Sequence, residues 1–109
     1  MDDVNSYQVV FITSPNSEEA HKIAETLVEE RLAACVNIIA GCRSIYRWKG
    51  KIVTDDEVLM IAKTHSARFE RFKERVSELH SYDVPEMIAL DIDAGSRPYI
   101  DFLREALNV

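Results

Sequence analysis

The chain has 109 residues, 47% hydrophobic and 29% charged, with only three glycines and three prolines. That is the make-up of one globular domain over residues 1–109, with a real core and no room for a second. Thirteen basic against nineteen acidic residues give a formal charge of −6, which argues against the clustered positive charge that nucleic acid or an anionic membrane requires.

Tyr7 to Thr13, YQVVFIT, is short and β-rich and reads as a first strand. SPNSEE then supplies a turn, an N-cap candidate in Asn16 or Ser17, and two acids suited to a helix N-terminus. Ala20, Ile23, Ala24, Leu27 and Val28 recur on one helical face, predicting a first helix that ends near Leu32. LAACVNIIAG reads as a second strand, with Gly41 marking a bulge or kink. RSIYRWKGKIVTDDEVLMIAKT continues it through a turn at KGK and returns to Thr64. Each arm of that hairpin is about twice the usual strand length, so it must project beyond any covering helices.

HSARFERFKERVSELH reads as a second helix, capped by Ser66, with Phe69, Phe72, Val76 and Leu79 as its apolar stripe. PEMIALDID is a fourth strand with Ile88, Leu90 and Ile92 on one face. GSRPYIDFLREALN closes the series as a third helix, with Pro98 in its first turn and Ile100, Leu103 and Leu107 facing the core. The order βαββαβ plus a terminal helix predicts an α+β, ferredoxin-like fold with a long central hairpin.

Helices on one face of a sheet should leave the strands alternating between apolar and polar. Instead Val9 and Phe11 oppose Val10 and Ile12, Val58 and Met60 oppose Leu59 and Ile61, and Val36 and Ile38 oppose Cys35 and Ile39. Each buried Val, Leu or Ile is worth roughly 1.5–3 kcal/mol, so an uncovered face of this kind seeks a partner. A homo-oligomer is expected, unless the third helix folds under the sheet.

Cys35 and Cys42 make neither a zinc pattern nor a disulfide framework and read as reduced thiols. The opening MDDVNSYQVVFIT is acidic where a secretory signal is basic, and its apolar run is too short for a membrane. The cytoplasm is therefore the expected compartment. No nucleophile–base pair and no phosphate-binding glycine motif is discernible, so no catalysis is expected. Arg43, Arg47, Lys49 and Lys51 interleave with Tyr46 and Trp48, the look of a single-strand nucleic-acid platform. Yet IVTDDEVLMI lacks the mid-strand aromatics that the RNA-recognition fold needs. A hairpin tip docking on an acidic neighbour explains the pattern better.

Four runs, ERLAACVNI, SIYRWKGKI, EVLMIAKT and HSYDVPEMIALDI, together resemble the CutA family of divalent-cation tolerance proteins, in the right order and spacing over nearly the whole chain. The resemblance implies a ferredoxin-like subunit in a tight homotrimer, its long hairpins locked onto neighbours. It also implies a cytoplasmic role in tolerance of copper and other divalent ions, with copper binding, and no organic cofactor. It implies an intersubunit pocket built from Lys63, Tyr46, Trp48 and the HSYD loop with Tyr82. Some members carry a cysteine late in the first strand, where this chain has Ile12, and proline after the histidine, where it has Ser81.

Three side chains are the metal candidates: His80 and Glu86, with Asp83 as an extra carboxylate. Imidazole with carboxylate suits Cu(II), Zn or Ni. Alternatively His80 ends a helix favourably against its dipole while Glu86 is solvated. Lys63 closes an apolar run on the face of Leu59 and Ile61, and is expected either to hold a small anion or to pair with Glu86 or Asp83 of a neighbour. PII-type proteins, trimeric small-molecule-binding regulators, share the fold and form the competing class, but they carry a flexible effector loop where this hairpin is short-turned. A structural scaffold is a third possibility.

Overall fold

The structure, a computed structural model, describes residues 3–109. Met1 and Asp2, part of the acidic start weighed against a secretory signal, lie outside them. The elements run β1 (Tyr7–Ser14), α1 (Ser17–Glu29), β2 (Cys35–Trp48), β3 (Lys51–His65), α2 (Phe69–Leu79), β4 (Ile88–Asp91) and α3 (Arg97–Leu107). The strands form one antiparallel sheet in the order β2-β3-β1-β4. This is the expected ferredoxin-like α+β arrangement with an added terminal helix.

Local chemistry explains where the helices begin and end. Asn16 caps α1, its side-chain oxygen accepting the Glu19 N–H at 2.8 Å. The helix stops at Glu29 rather than near Leu32, because Arg31 turns left-handed at φ 59°. The Leu32 N–H then returns to Leu27 O at 2.8 Å and the Arg31 N–H to Val28 O at 3.1 Å, a Schellman closure with arginine in the place glycine usually takes. Nor does Ser66 cap α2. His65 caps a single 3₁₀ turn (Ser66–Arg68) by accepting the Ala67 N–H at its Nδ1, 3.0 Å away, and α2 starts at Phe69.

Both faces of the sheet are apolar, as expected, but they are covered unequally. On one face Val10, Ile12, Met60 and Ala62 pack against Ile23, Leu27, Phe72 and Val76 of α1 and α2. On the other, α3 does fold under the sheet, setting Ile100, Leu103 and Leu107 against Tyr7 and Ala34. Its C-terminal carbonyls are held by two guanidinium groups: Arg31 donates to Ala106 O at 2.9 Å, and Arg68 to Leu107 O at 2.9 Å and Asn108 O at 3.0 Å. These bonds anchor the C-terminal end of α3. Further along the same face Ile39, Ile88 and Leu90 remain 45%, 54% and 53% exposed.

The hairpin β2–β3 carries 14 and 15 residues and stretches the molecule to 48 Å along its longest axis. A bulge interrupts it: Ile39 pairs with Leu59, but Cys42 pairs with Glu57, and Gly41 at φ 84° takes up the extra residue. The extra residue inverts the alternation, so Ser44, Tyr46 and Trp48 share the face of Asp55 and Glu57. At the tip Lys49 (φ 50°) and Gly50 (φ 79°) form a two-residue turn of the I′ kind.

A lysine at left-handed φ costs on the order of 1 kcal/mol, which asparagine tolerates better. Lys49→Asn is therefore expected to raise the thermal midpoint by a few degrees. A Cβ at Gly41 meets no atom within 4 Å, but Gly41→Val is forced into a strained backbone and should lose roughly 1–2 kcal/mol. Scanning calorimetry of both variants checks this; an unchanged midpoint for Gly41→Val would contradict the bulge.

Candidate functional site

Past the bulge, the open face of the hairpin meets the loop that follows α2. The loop is fastened by His80, whose side chain is fully buried. Its Nε2–H donates to Thr13 O at 2.7 Å, at the end of β1. Because a carbonyl can only accept, Nε2 carries the proton, and Nδ1 accepts the Tyr82 N–H at 3.0 Å. Glu19 of α1 completes the tie, its Oε2 accepting from Ser81 N at 3.1 Å and Ser81 Oγ at 3.0 Å.

Fixed in this way, Tyr82 reaches across to β3. Its hydroxyl donates to Glu57 Oε2 at 2.7 Å, and Glu57 is only 7% exposed. On the neighbouring strand the Tyr46 hydroxyl donates to Asp55. Both phenols have raised pKa values: Tyr82 well above the usual range, through burial and then its bond to Glu57, and Tyr46 through its bond to Asp55. Between loop and hairpin lies a cleft of about 570 Å³, walled by Tyr46, Trp48 and Tyr82 and carrying Glu57, Asp83 and Glu86. Partial loss of water, and then the Glu57 charge, lift the Glu86 carboxyl above its ordinary 4.5.

Of the residues singled out in the sequence, the cleft thus gathers Tyr46, Trp48, Tyr82, Asp83 and Glu86. His80 does not line it, and both of its ring nitrogens are engaged within the chain, leaving no lone pair for a metal. Lys63 lies elsewhere: it pairs with Val9 and Cys35, donates to Asn37, and has Cys35 Sγ at 4.0 Å. It lies six positions beyond Glu57 in β3, about 20 Å along the strand. Ile12, at the place of some relatives' cysteine, is fully buried in the core beneath α1 and α2. Among the described residues no three His, Cys, Asp or Glu side chains are grouped to hold a metal ion. The donors present therefore do not fit a dedicated metal centre within one chain.

Sequence reasoning missed Glu57. The signal was there in its parity: it shares a face with Leu59 and Ile61, an acid set into an apolar strand.

The matching family model is that of the CutA1 divalent ion tolerance protein, over residues 8–106. A divalent-cation tolerance protein CutA of Thermus thermophilus is 56% identical over 98 residues, 90% of this chain and 95% of that protein. The chloroplastic CutA of Arabidopsis thaliana is 47% identical over 90% of this chain, which spans only 54% of that relative's length. Among solved structures, the Thermus thermophilus protein superposes with a TM-score of 0.90 at 55% identity, covering 92% of this chain and 97% of its own. CutA1 of Oryza sativa superposes with a TM-score of 0.89 at 43% identity, covering 92% of each chain. With the fold, the long hairpin and nearly the whole length in agreement, the chain belongs to the CutA1 divalent ion tolerance protein family.

Proposed function

We propose that this chain serves divalent-cation tolerance as a cytoplasmic, non-enzymatic homotrimer of one-domain subunits, in which direct metal capture by each chain is weak and confined to carboxylates. The observation that carries the assembly is the uncovered sheet face, where Ile39, Ile88 and Leu90 stay about half exposed beside partly buried Val9, Phe11, Leu59 and Ile61. The projecting hairpin supplies the reach to a neighbour, and the free thiols of Cys35 and Cys42 suit a reducing compartment. Copper or another divalent cation then finds Glu86 and Asp83 at the cleft, with His80 holding the loop that presents them. Two carboxylates without imidazole make an open, hard-oxygen site of low affinity.

Light scattering at micromolar concentration is expected to give the mass of a trimer, and Leu90→Glu to shift it toward the monomer. A wild-type monomer would sink the assembly.

A calorimetric Cu(II) titration is expected to show weak binding that Glu86→Gln and Asp83→Asn reduce several-fold. His80→Ala should leave that affinity unchanged and instead lower the thermal midpoint, losing roughly 1–3 kcal/mol for the stranded partners in Thr13 and Tyr82. Loss of copper binding in His80→Ala alone would make the imidazole a ligand.

Because the folded state raises the Glu86 pKa, it binds that proton more tightly than the unfolded chain does. The resulting stabilisation is present at pH below the ordinary 4.5 and disappears as pH rises through the raised value. Glu86→Gln, which stays neutral, is therefore expected to gain stability over wild type at neutral pH and to match it in acid. Urea denaturation across that range measures the difference; a constant gap at every pH would contradict it.

A further inference from the structure

The cleft has the dimensions of a small-molecule pocket: about 570 Å³ falls within the range of roughly 300–1,000 Å³ typical of such sites. Its lining holds three aromatic rings and three carboxylates but no lysine or arginine. Glu57, 7% exposed, has a neutral phenol as its hydrogen-bond partner, so a largely buried anion lies there without a counter-charge from the lining, a costly arrangement. Two features decide which kind of cation fits. A compact metal ion needs several donors converging at bonding distance, and no three His, Cys, Asp or Glu side chains are so grouped among the described residues. Aromatic faces instead attract an ammonium or guanidinium group through the ring quadrupole, and the Trp48 ring already has the Lys49 ammonium 6.0 Å from its centre.

We propose that the cleft is a recognition site for an organic cation, an ammonium or guanidinium group on a short aliphatic stem. The head pairs with Glu57 and Glu86, and the stem lies along Tyr46 and Trp48. This inference is independent of copper binding. The cation has two possible sources: a free small molecule, or Lys63 of a second copy. Lys63 is on the same sheet face but about 20 Å from the cleft of its own chain, so it can enter only a neighbour's.

Trp48 is the only tryptophan and stands in the cleft wall, so its fluorescence reports occupancy directly. The probe is n-butylammonium, titrated at constant ionic strength into wild type and Lys63→Gln, with n-butanol as the neutral control. Saturable binding to wild type, weakened at least tenfold in Glu57→Gln or Glu86→Gln, establishes a site for a free cation. Saturation only in Lys63→Gln, again lost when either carboxylate is removed, establishes the neighbour's lysine as the natural occupant. No saturation in either protein overturns the proposal, as does equal binding of n-butanol or indifference to the carboxylate substitutions. Light scattering on the same samples keeps a failure of assembly distinct from a failure of the cleft.

Discussion

One residue too many in β2 organises the functional half of the molecule. A strand's side chains alternate with a period of two, so a single inserted residue sends everything beyond it to the opposite face. Without the bulge at Gly41, Tyr46 and Trp48 would share a face with Thr54 and Asp56, away from the loop after α2. With it, they stand beside Glu57 and Asp55, and the same hairpin that is core near Ala62 becomes a binding wall near its tip. The bulge needs left-handed backbone, which glycine adopts freely. Gly41 thus links a local steric permission to the existence of the cleft.

The second wall depends on a histidine spent on structure. His80 is placed where a helix ends and a loop must be led back under the sheet, and its two nitrogens join that loop to the end of β1 and to its own backbone. Imidazole suits the task because one ring both donates and accepts in fixed directions. The same property disqualifies it as a ligand here, since a nitrogen engaged in a buried hydrogen bond has no lone pair to offer. In sequence, His80 stood beside two acids as a metal candidate, with a helix-ending role as the alternative. In space it is the fastening behind the acids.

The sequence made the element order, the helix faces and the two-sided sheet legible, because each rests on hydrophobic periodicity over many residues. Ile100, Leu103 and Leu107 form the α3 packing face as their spacing predicts. What periodicity does not carry was misread. The end of α1 turns on Arg31 entering left-handed space, where glycine is the usual signal, and the cap at His65 is an imidazole in a role that serine beside it normally fills. For the site, Tyr46, Trp48, Tyr82, Asp83 and Glu86 were picked out from two separate runs, and the fold brings them to one cleft. Glu57 escaped notice because its parity acquires meaning only once the bulge sets which residues of β2 lie beside it.

The carboxylates of the cleft differ from those outside it in the partners the fold gives them. Asp56, on the other face of the hairpin, takes the Arg43 guanidinium at 3.3 Å, and Glu30 takes Arg75 in a two-pronged pair at 3.0 Å. Those charges are neutralised where they stand. On the cleft side of the hairpin, Asp55 beside the cleft and Glu57 within it take the phenols of Tyr46 and Tyr82. A phenol holds a carboxylate in position and satisfies one oxygen but leaves its negative charge intact, whereas a guanidinium would cancel it. The Glu86 carboxyl, raised first by its partial burial, is raised further by the Glu57 charge. Cations are thus retained on the outer surfaces of the chain and withheld from the cleft lining, so that the charge there is left for a partner that arrives from outside.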